Sequence, residues 1–193
     1  MTPDDRADAP AETAQRRHLP GDLDAEARLA RVLRVDHAGE YGARRIYEGQ
    51  LAVLGRSACA PTLRHMHAQE LAHLSTFEDL LVRHRVRPTL LQPVWHVAGF
   101  ALGAATALLG EKAAMACTVA VEEVIDEHYA GQHSALEDDQ AALKDTIEGF
   151  RQEELQHRDI GLAQGAEEAP GYELLSGAVK AGSRLAIWLS ERI

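Results

Sequence analysis

Glu70-Leu-Ala-His73 and Glu154-Leu-Gln-His157 are the two Glu-x-x-His pairs of this 193-residue chain, and each trails a lone glutamate, Glu40 or Glu122, by 30 or 32 residues. The chain's stock of Glu and His makes roughly one such pair by chance, so the pairs alone decide little. Their placement decides more. The midpoint between Glu40 and Glu70 is Gly55, inside the turn-like stretch Gly55-Arg-Ser-Ala-Cys-Ala-Pro61. The midpoint between Glu122 and Glu154 is Asp138, inside the solvated run Glu137-Asp138-Asp139. Two helical hairpins are predicted, with each lone Glu level with its Glu-x-x-His partner and about 22–24 Å from its turn. Docked antiparallel, they form a four-helix bundle in which one Glu from each of two helices meets a Glu-x-x-His from each of the other two. That is a ligand set for two metal ions.

Periodicity turns the six residues inward. Leu63, Met66, Glu70, His73, Leu74, Phe77, Leu81 and His84 follow i, i+3, i+4, i+7 spacing, as do Leu33, Glu40, Ala43, Tyr47, Leu51 and Leu54. Met115, Val119, Glu122, Ile125 and Tyr129 repeat the pattern, and so do Leu143, Ile147, Phe150, Glu154, His157 and Ile160. Four ionised carboxylates in an apolar interior are prohibitive unless cations neutralise them. Two divalent ions would cancel all four. Oxygen-rich, imidazole-poor ligation suits iron or manganese better than structural zinc. Cys59, in the first turn, and Cys117, one turn before Glu122, are read as reduced and non-ligating. His84 and His96 are read as hydrogen-bonded core residues.

Thr89 to Gly110 contains no Asp, Glu, Lys or Arg. Its length permits a membrane span, but Gln92, Pro93, His96 and three glycines interrupt it, and a bundle of two hairpins needs a crossover here. A crossover with shallow membrane docking is expected, with the apolar residues of a C-terminal helix over Tyr172–Arg192 sharing that surface. The net charge of −10 counts against nucleic acid and gives no attraction to anionic lipid, so any docking should be hydrophobic. An apolar fraction of 46% with 5% aromatics favours an all-α fold. Met1–Asp22 is predicted to be a disordered polar tail, followed by one domain over residues 23–193. The tail lacks the apolar core of a signal peptide and is too acidic for a typical mitochondrial transit peptide, so the cytoplasmic face of a bacterial inner membrane is the expected location.

The words around the ligands carry a family resemblance. Arg34-Val-Asp-His-Ala-Gly-Glu-Tyr-Gly-Ala43 resembles the first-helix signature of the demethoxyubiquinone hydroxylases. Arg85-Val-Arg-Pro-Thr89, Met115-Ala-Cys-Thr-Val-Ala-Val-Glu-Glu123, Glu153-Glu-Leu-Gln-His-Arg-Asp-Ile-Gly161 and Leu189-Ser-Glu-Arg-Ile193 agree with it, and the resemblance runs from about Leu29 to Ile193. It implies a ferritin-like, di-iron monooxygenase that hydroxylates the ring of a demethoxyubiquinol with O2, in the penultimate step of ubiquinone biosynthesis. It also implies Glu40, Glu70, His73, Glu122, Glu154 and His157 as ligands of two iron ions, with Glu70 and Glu122 as candidate bridges. Tyr129 and His128 are candidates to orient the quinone head or the ligands. Asp36 and His37 are similarly placed, and Asp126 and Asp159 more weakly so.

Partners follow from the same reading: a polyprenyl quinol, O2, a membrane surface, and a lipid-presenting or biosynthetic-complex partner. No Gly-x-Gly-x-x-Gly follows a strand, so the electron donor stays open between NADH docked on Arg31, Arg184 or Arg192, a reductase, and the reduced quinone. Two other functions fit part of the pattern. A ferroxidase or iron-storage protein would use the same six ligands, and a membrane-associated helical scaffold would need none of them.

Overall fold

The computed structural model describes residues 23–136 and 138–193. The expected disordered tail, and Glu137 of the predicted second turn, lie outside the described residues. Among the described residues the chain forms six α-helices and no strand.

Helix α1 spans Ala25–Leu54, started by Asp24, whose side chain accepts from the Ala27 amide at 2.7 Å. Helix α2, Ala60–His84, begins with Pro61 in its first turn, where the missing N–H costs nothing. The predicted turn at Gly55–Pro61 therefore lies within a residue or two of the observed one. Helix α4, Glu111–Ala135, and helix α5, Ala141–Ala163, form the second hairpin, also as expected.

The hairpins dock antiparallel. At one end of the α1–α4 contact Gln50 donates to the Ala114 carbonyl at 3.0 Å, and at the other Gln132 donates to Asp36 at 2.7 Å. Two apolar clusters fill the bundle above and below the ligand level. One contains Tyr47, Leu63, Met66, Met115 and Val119, and the other contains Leu33, Phe77, Leu81, Tyr129 and Ile147. Together they close the ligand layer off from water along the bundle axis.

The apolar stretch becomes helix α3, Gln92–Leu108, which crosses over to run alongside α1 in the same direction. Backbone meets backbone there. A Cβ on Gly103 would lie 2.0 Å from the Ile46 carbonyl oxygen, and one on Gly49 would lie 2.2 Å from that of Phe100. Only glycine permits this approach. Helix α6, Tyr172–Ser190, lies along α4 and is tied to it by Lys180 with Glu123 and by Arg184 with Glu127. The result is three layers of two helices: α2 and α5, then α1 and α4, then α3 and α6.

Among the described residues no helix is long and apolar enough to cross a membrane. Two histidine expectations are corrected. His84 is exposed, because the apolar stripe of α2 stops at Leu81 where the helix leaves the bundle. His96 is exposed as well, although its Nδ1 lies 2.7 Å from the Tyr41 hydroxyl.

Candidate metal centre

Because α1, α2, α4 and α5 each place one ligand-bearing stripe toward the same axis, all six predicted residues meet at one level. Each is at most 3% exposed. They fall into two groups whose potential donor atoms lie within 4.8 Å of one another: Glu40, Glu70, His73 and Glu154, and Glu70, Glu122, Glu154 and His157. Glu70 and Glu154 belong to both. The shared position expected for Glu122 is thus taken by Glu154, because both Glu-x-x-His glutamates project between the two imidazoles while Glu40 and Glu122 sit at opposite ends.

Both imidazoles turn Nδ1 toward the carboxylates. His73 Nδ1 is 3.0 Å from Glu154 and 3.4 Å from Glu40, and His157 Nδ1 is 3.0 Å from Glu154 and 3.3 Å from Glu70. Tyr129 donates to Glu40, and Tyr47 donates to Glu122 at 3.0 Å. His73 stacks on Phe150 with centroids 4.0 Å apart, which fixes its ring plane.

The electrostatics are those of a cluster short of positive charge. Burial and the neighbouring Glu154 push Glu70 and Glu122 well above the usual carboxylate range, and burial also raises Glu40. Burial acts to raise Glu154 too, but hydrogen bonds from His157 and His73 outweigh it and hold that carboxyl at about 2. Burial opposes protonation of His73, yet Glu154 and Glu40 push it up to about 12. Without cations, then, the carboxyls of Glu40, Glu70 and Glu122 favour keeping their protons. Both oxygens of Glu70, together with Oε2 of Glu40 and of Glu122, lack a hydrogen-bond partner among the described residues. Buried acceptors normally find partners. Four unsatisfied oxygens converging on two imidazole nitrogens fit divalent cations with a preference for oxygen ligands.

A family profile described as "Ubiquinone biosynthesis protein COQ7" matches residues 27–190. The chain belongs to the COQ7 family. It is 65% identical over 176 residues to the 3-demethoxyubiquinol 3-hydroxylase of Rhodospirillum rubrum, covering 91% of this chain and 83% of that protein. It is 54% identical over 173 residues to the human mitochondrial NADPH-dependent 3-demethoxyubiquinone 3-hydroxylase, covering 88% and 80%. It is 42% identical over 188 residues to the mitochondrial 5-demethoxyubiquinone hydroxylase of Saccharomyces cerevisiae, covering 88% and 81%. As in those COQ7 relatives, whose names describe hydroxylases, the expected activity is that of an oxidoreductase.

The other candidates divide. Tyr129 touches the ligand set directly. Asp36 is buried, accepts from Gln132 and has His128 Nε2 3.3 Å away, so these three form a polar group beside the centre. His37 is buried and stacks on Tyr41, with its Nδ1 unpartnered among the described residues. Asp159 is instead exposed and paired with Arg158, and Asp126 accepts from Arg151 at 2.6 Å; neither reaches the centre. Of the basic residues, Arg31 borders a cavity of about 180 Å³ near the start of α1, Arg184 pairs with Glu127, and Arg192 lies over the Trp188 ring at 4.3 Å.

Sequence reasoning missed three contacts. Spacing of seven from Glu40 places Tyr47 on the Glu40 stripe but gives it no role, and its hydroxyl reaches Glu122. Gln69 and Glu153, each directly before a Glu-x-x-His glutamate, bond the far side of the imidazoles. It also missed an apolar groove of about 350 Å³ between α3 and α6. Its floor includes Gly39, Gly42, Ile46, Val121 and Ile125, so residues directly preceding Glu40 and Glu122 line it.

Proposed function

We propose that this chain hydroxylates the ring of a demethoxyubiquinol with O2, using two iron ions held by Glu40, Glu70, His73, Glu122, Glu154 and His157. The observation that carries the reading is the adjacency of a buried, cation-deficient ligand cluster and an apolar groove, separated by the width of α1 and α4. When bound, the iron pair supplies the electrons and O2 activation that a closed-shell ring lacks.

The chain's own residues do the rest. Gly39 and Gly42 leave room for a flat ring to lie against α1 close to Glu40. Tyr129 and Tyr47 hold Glu40 and Glu122 in place through their hydroxyls. The apolar clusters on either side of the ligand layer keep bulk water away, which strengthens every charge interaction within it.

The groove opens between helices that carry exposed Val94, Val97 and Leu108 on α3 and Leu174, Leu185 and Trp188 on α6. This face supports peripheral docking on the cytoplasmic side of a bacterial cell membrane, where a polyprenyl substrate resides and from which its head could enter the groove. The human relative's name specifies NADPH, which supports a nicotinamide as electron donor. A lipid-presenting partner would act at the same mouth.

Quinone profiling of cells lacking the chain tests the reading. Accumulation of demethoxyubiquinone, reversed by the wild-type chain but not by a Glu70→Ala variant, is expected. An unchanged quinone profile overturns the assignment.

A further inference from the structure

The outer edge of each imidazole is as ordered as the inner one. His73 Nε2 lies 3.1 Å from Glu153 Oε2, and His157 Nε2 lies 3.1 Å from Gln69 Oε1. Gln69 Nε2 donates in turn to Glu153 Oε2 at 2.9 Å. One hydrogen-bonded chain, His73 to Glu153 to Gln69 to His157, therefore runs behind the ligand layer between α2 and α5.

The chain is nearly symmetric. Glu153 on α5 precedes Glu154 and reaches across to the histidine of α2, while Gln69 on α2 precedes Glu70 and reaches across to the histidine of α5. The front of the site repeats the exchange, with Tyr47 of α1 bonding Glu122 of α4 and Tyr129 of α4 bonding Glu40 of α1. In the back chain this approximate twofold is broken by chemistry: one imidazole is backed by a carboxylate and the other by an amide oxygen. An imidazole N–H held by a carboxylate makes the opposite nitrogen a stronger donor to metal, because the charge-assisted bond pushes electron density into the ring. An amide oxygen does this less.

We propose that Glu153 and Gln69 are positioning residues that make the two metal positions unequal, so that the position at His73 and Glu40 takes a divalent cation first and more tightly than the position at His157 and Glu122. The inference rests on the reading of the six residues as ligands for two metal ions. It adds an order of filling and names the side chains that set it. The contacts also fix which ring nitrogen is free for metal. Nε2 is engaged behind both rings, leaving both Nδ1 atoms for the cluster.

The test titrates the chelator-stripped full chain with Co²⁺ under anaerobic conditions, following its visible absorption bands and the hyperfine-shifted, exchangeable imidazole N–H protons by NMR. The wild-type chain should bind in two resolved steps, the first showing the N–H signal of the His73 side. Glu153→Gln keeps an acceptor in place but removes the charge, and should weaken the first step by about 10–100-fold while sparing the second. Gln69→Glu should tighten the second step. The double exchange should reverse the order, so that one equivalent shifts the His157 N–H first. Circular dichroism checks the fold, and the double exchange, which keeps one carboxylate and one amide in the back chain, carries the test if Glu153→Gln does not fold. Equal steps in the wild type, or unaltered affinities in both single variants, overturn the inference. A wild-type chain that binds no Co²⁺ overturns instead the metal reading on which it rests.

Discussion

Helices α1 and α4 separate two interiors of opposite chemistry. On one side, toward α2 and α5, they present Glu40, Tyr47, Glu122 and Tyr129 to a closed, ionisable layer in which the carboxyls of Glu40, Glu70 and Glu122 have too few partners. On the other, toward α3 and α6, they present Gly39, Gly42, Ile46, Val121 and Ile125 to a part-open groove with almost no polar wall. The first interior is expensive without cations. The second makes no such demand, because its walls are almost wholly apolar and leave little polar surface to satisfy. The difference teaches which half of the molecule is short of positive charge and which half serves for shape.

Removing a shared carboxylate should produce the largest effect on this contrast. Glu70→Ala or Glu154→Ala takes a ligand from both positions, so metal content and hydroxylation should both fall to background. Metal analysis and product chromatography check this. Asp159→Asn, whose side chain is exposed and paired with Arg158, should leave both unchanged.

The glycines of the groove side separate packing from substrate room. A side chain at Gly103 meets the Ile46 carbonyl at 2.0 Å from its Cβ alone, so Gly103→Leu should push α3 off α1 at a cost of at least about 1–3 kcal/mol. A lowered thermal midpoint is the readout. At Gly42, by contrast, a Cβ meets nothing within 4 Å. Gly42→Val should therefore leave the fold intact while occupying groove volume, raising KM for the quinol by about tenfold, the scale of one to two displaced methylenes. A stable Gly42→Val chain with unchanged KM would place the ring elsewhere.

A smaller effect concerns pH. In chelated protein Glu70 and Glu122 titrate well above their unfolded values, and His73 is raised to about 12, so the folded chain binds protons that the unfolded chain releases. Their stabilisation is full below the unfolded values and is lost as pH rises through the folded ones. Glu154, held at about 2, works the other way and loses its contribution only as pH falls below about 4.5 toward that value. Metal-free protein should thus melt at lower temperature at pH 9 than at pH 6. Divalent metal should flatten or invert this slope, because binding requires the deprotonated carboxylates. Thermal denaturation with and without chelator reads both slopes.

The proposed membrane docking should be the least sensitive to charge. Val97→Asp on the exposed face of α3 should reduce sedimentation with neutral phosphatidylcholine vesicles, while salt should change wild-type binding little, since the chain is net negative and the exposed Val94, Val97 and Leu108 of α3 are apolar.

Much of the first interior was legible in the sequence because helical periodicity is local. Glu40, Glu70, His73, Glu122, Glu154 and His157 share stripes with Leu33, Met66, Phe77 and Ile147, and spacing to the turns fixes their depth. What needed three dimensions were contacts between helices. Gln69 and Glu153 lie one residue off their ligand stripes, where a polar residue reads as solvated, and only the α2–α5 approach turns them onto the imidazoles. The groove is lined by stripes from four helices, Val35, Ala38, Gly39, Gly42, Ala43 and Ile46 on α1 among them, and only their packing shows that these faces enclose a space rather than a filled core. His84 was misread because periodicity does not say where a helix outruns its bundle. That Glu154 rather than Glu122 belongs to both donor groups could not be read without knowing which glutamates project between the rings.

The most direct test is the metal content of the purified full-length chain after anaerobic reconstitution with Fe²⁺ and removal of loosely bound ions. The account predicts about two iron ions per chain, tightly held, and close to none in Glu70→Ala. A wild-type chain that retains no iron, or a Glu70→Ala chain that retains two, would contradict it.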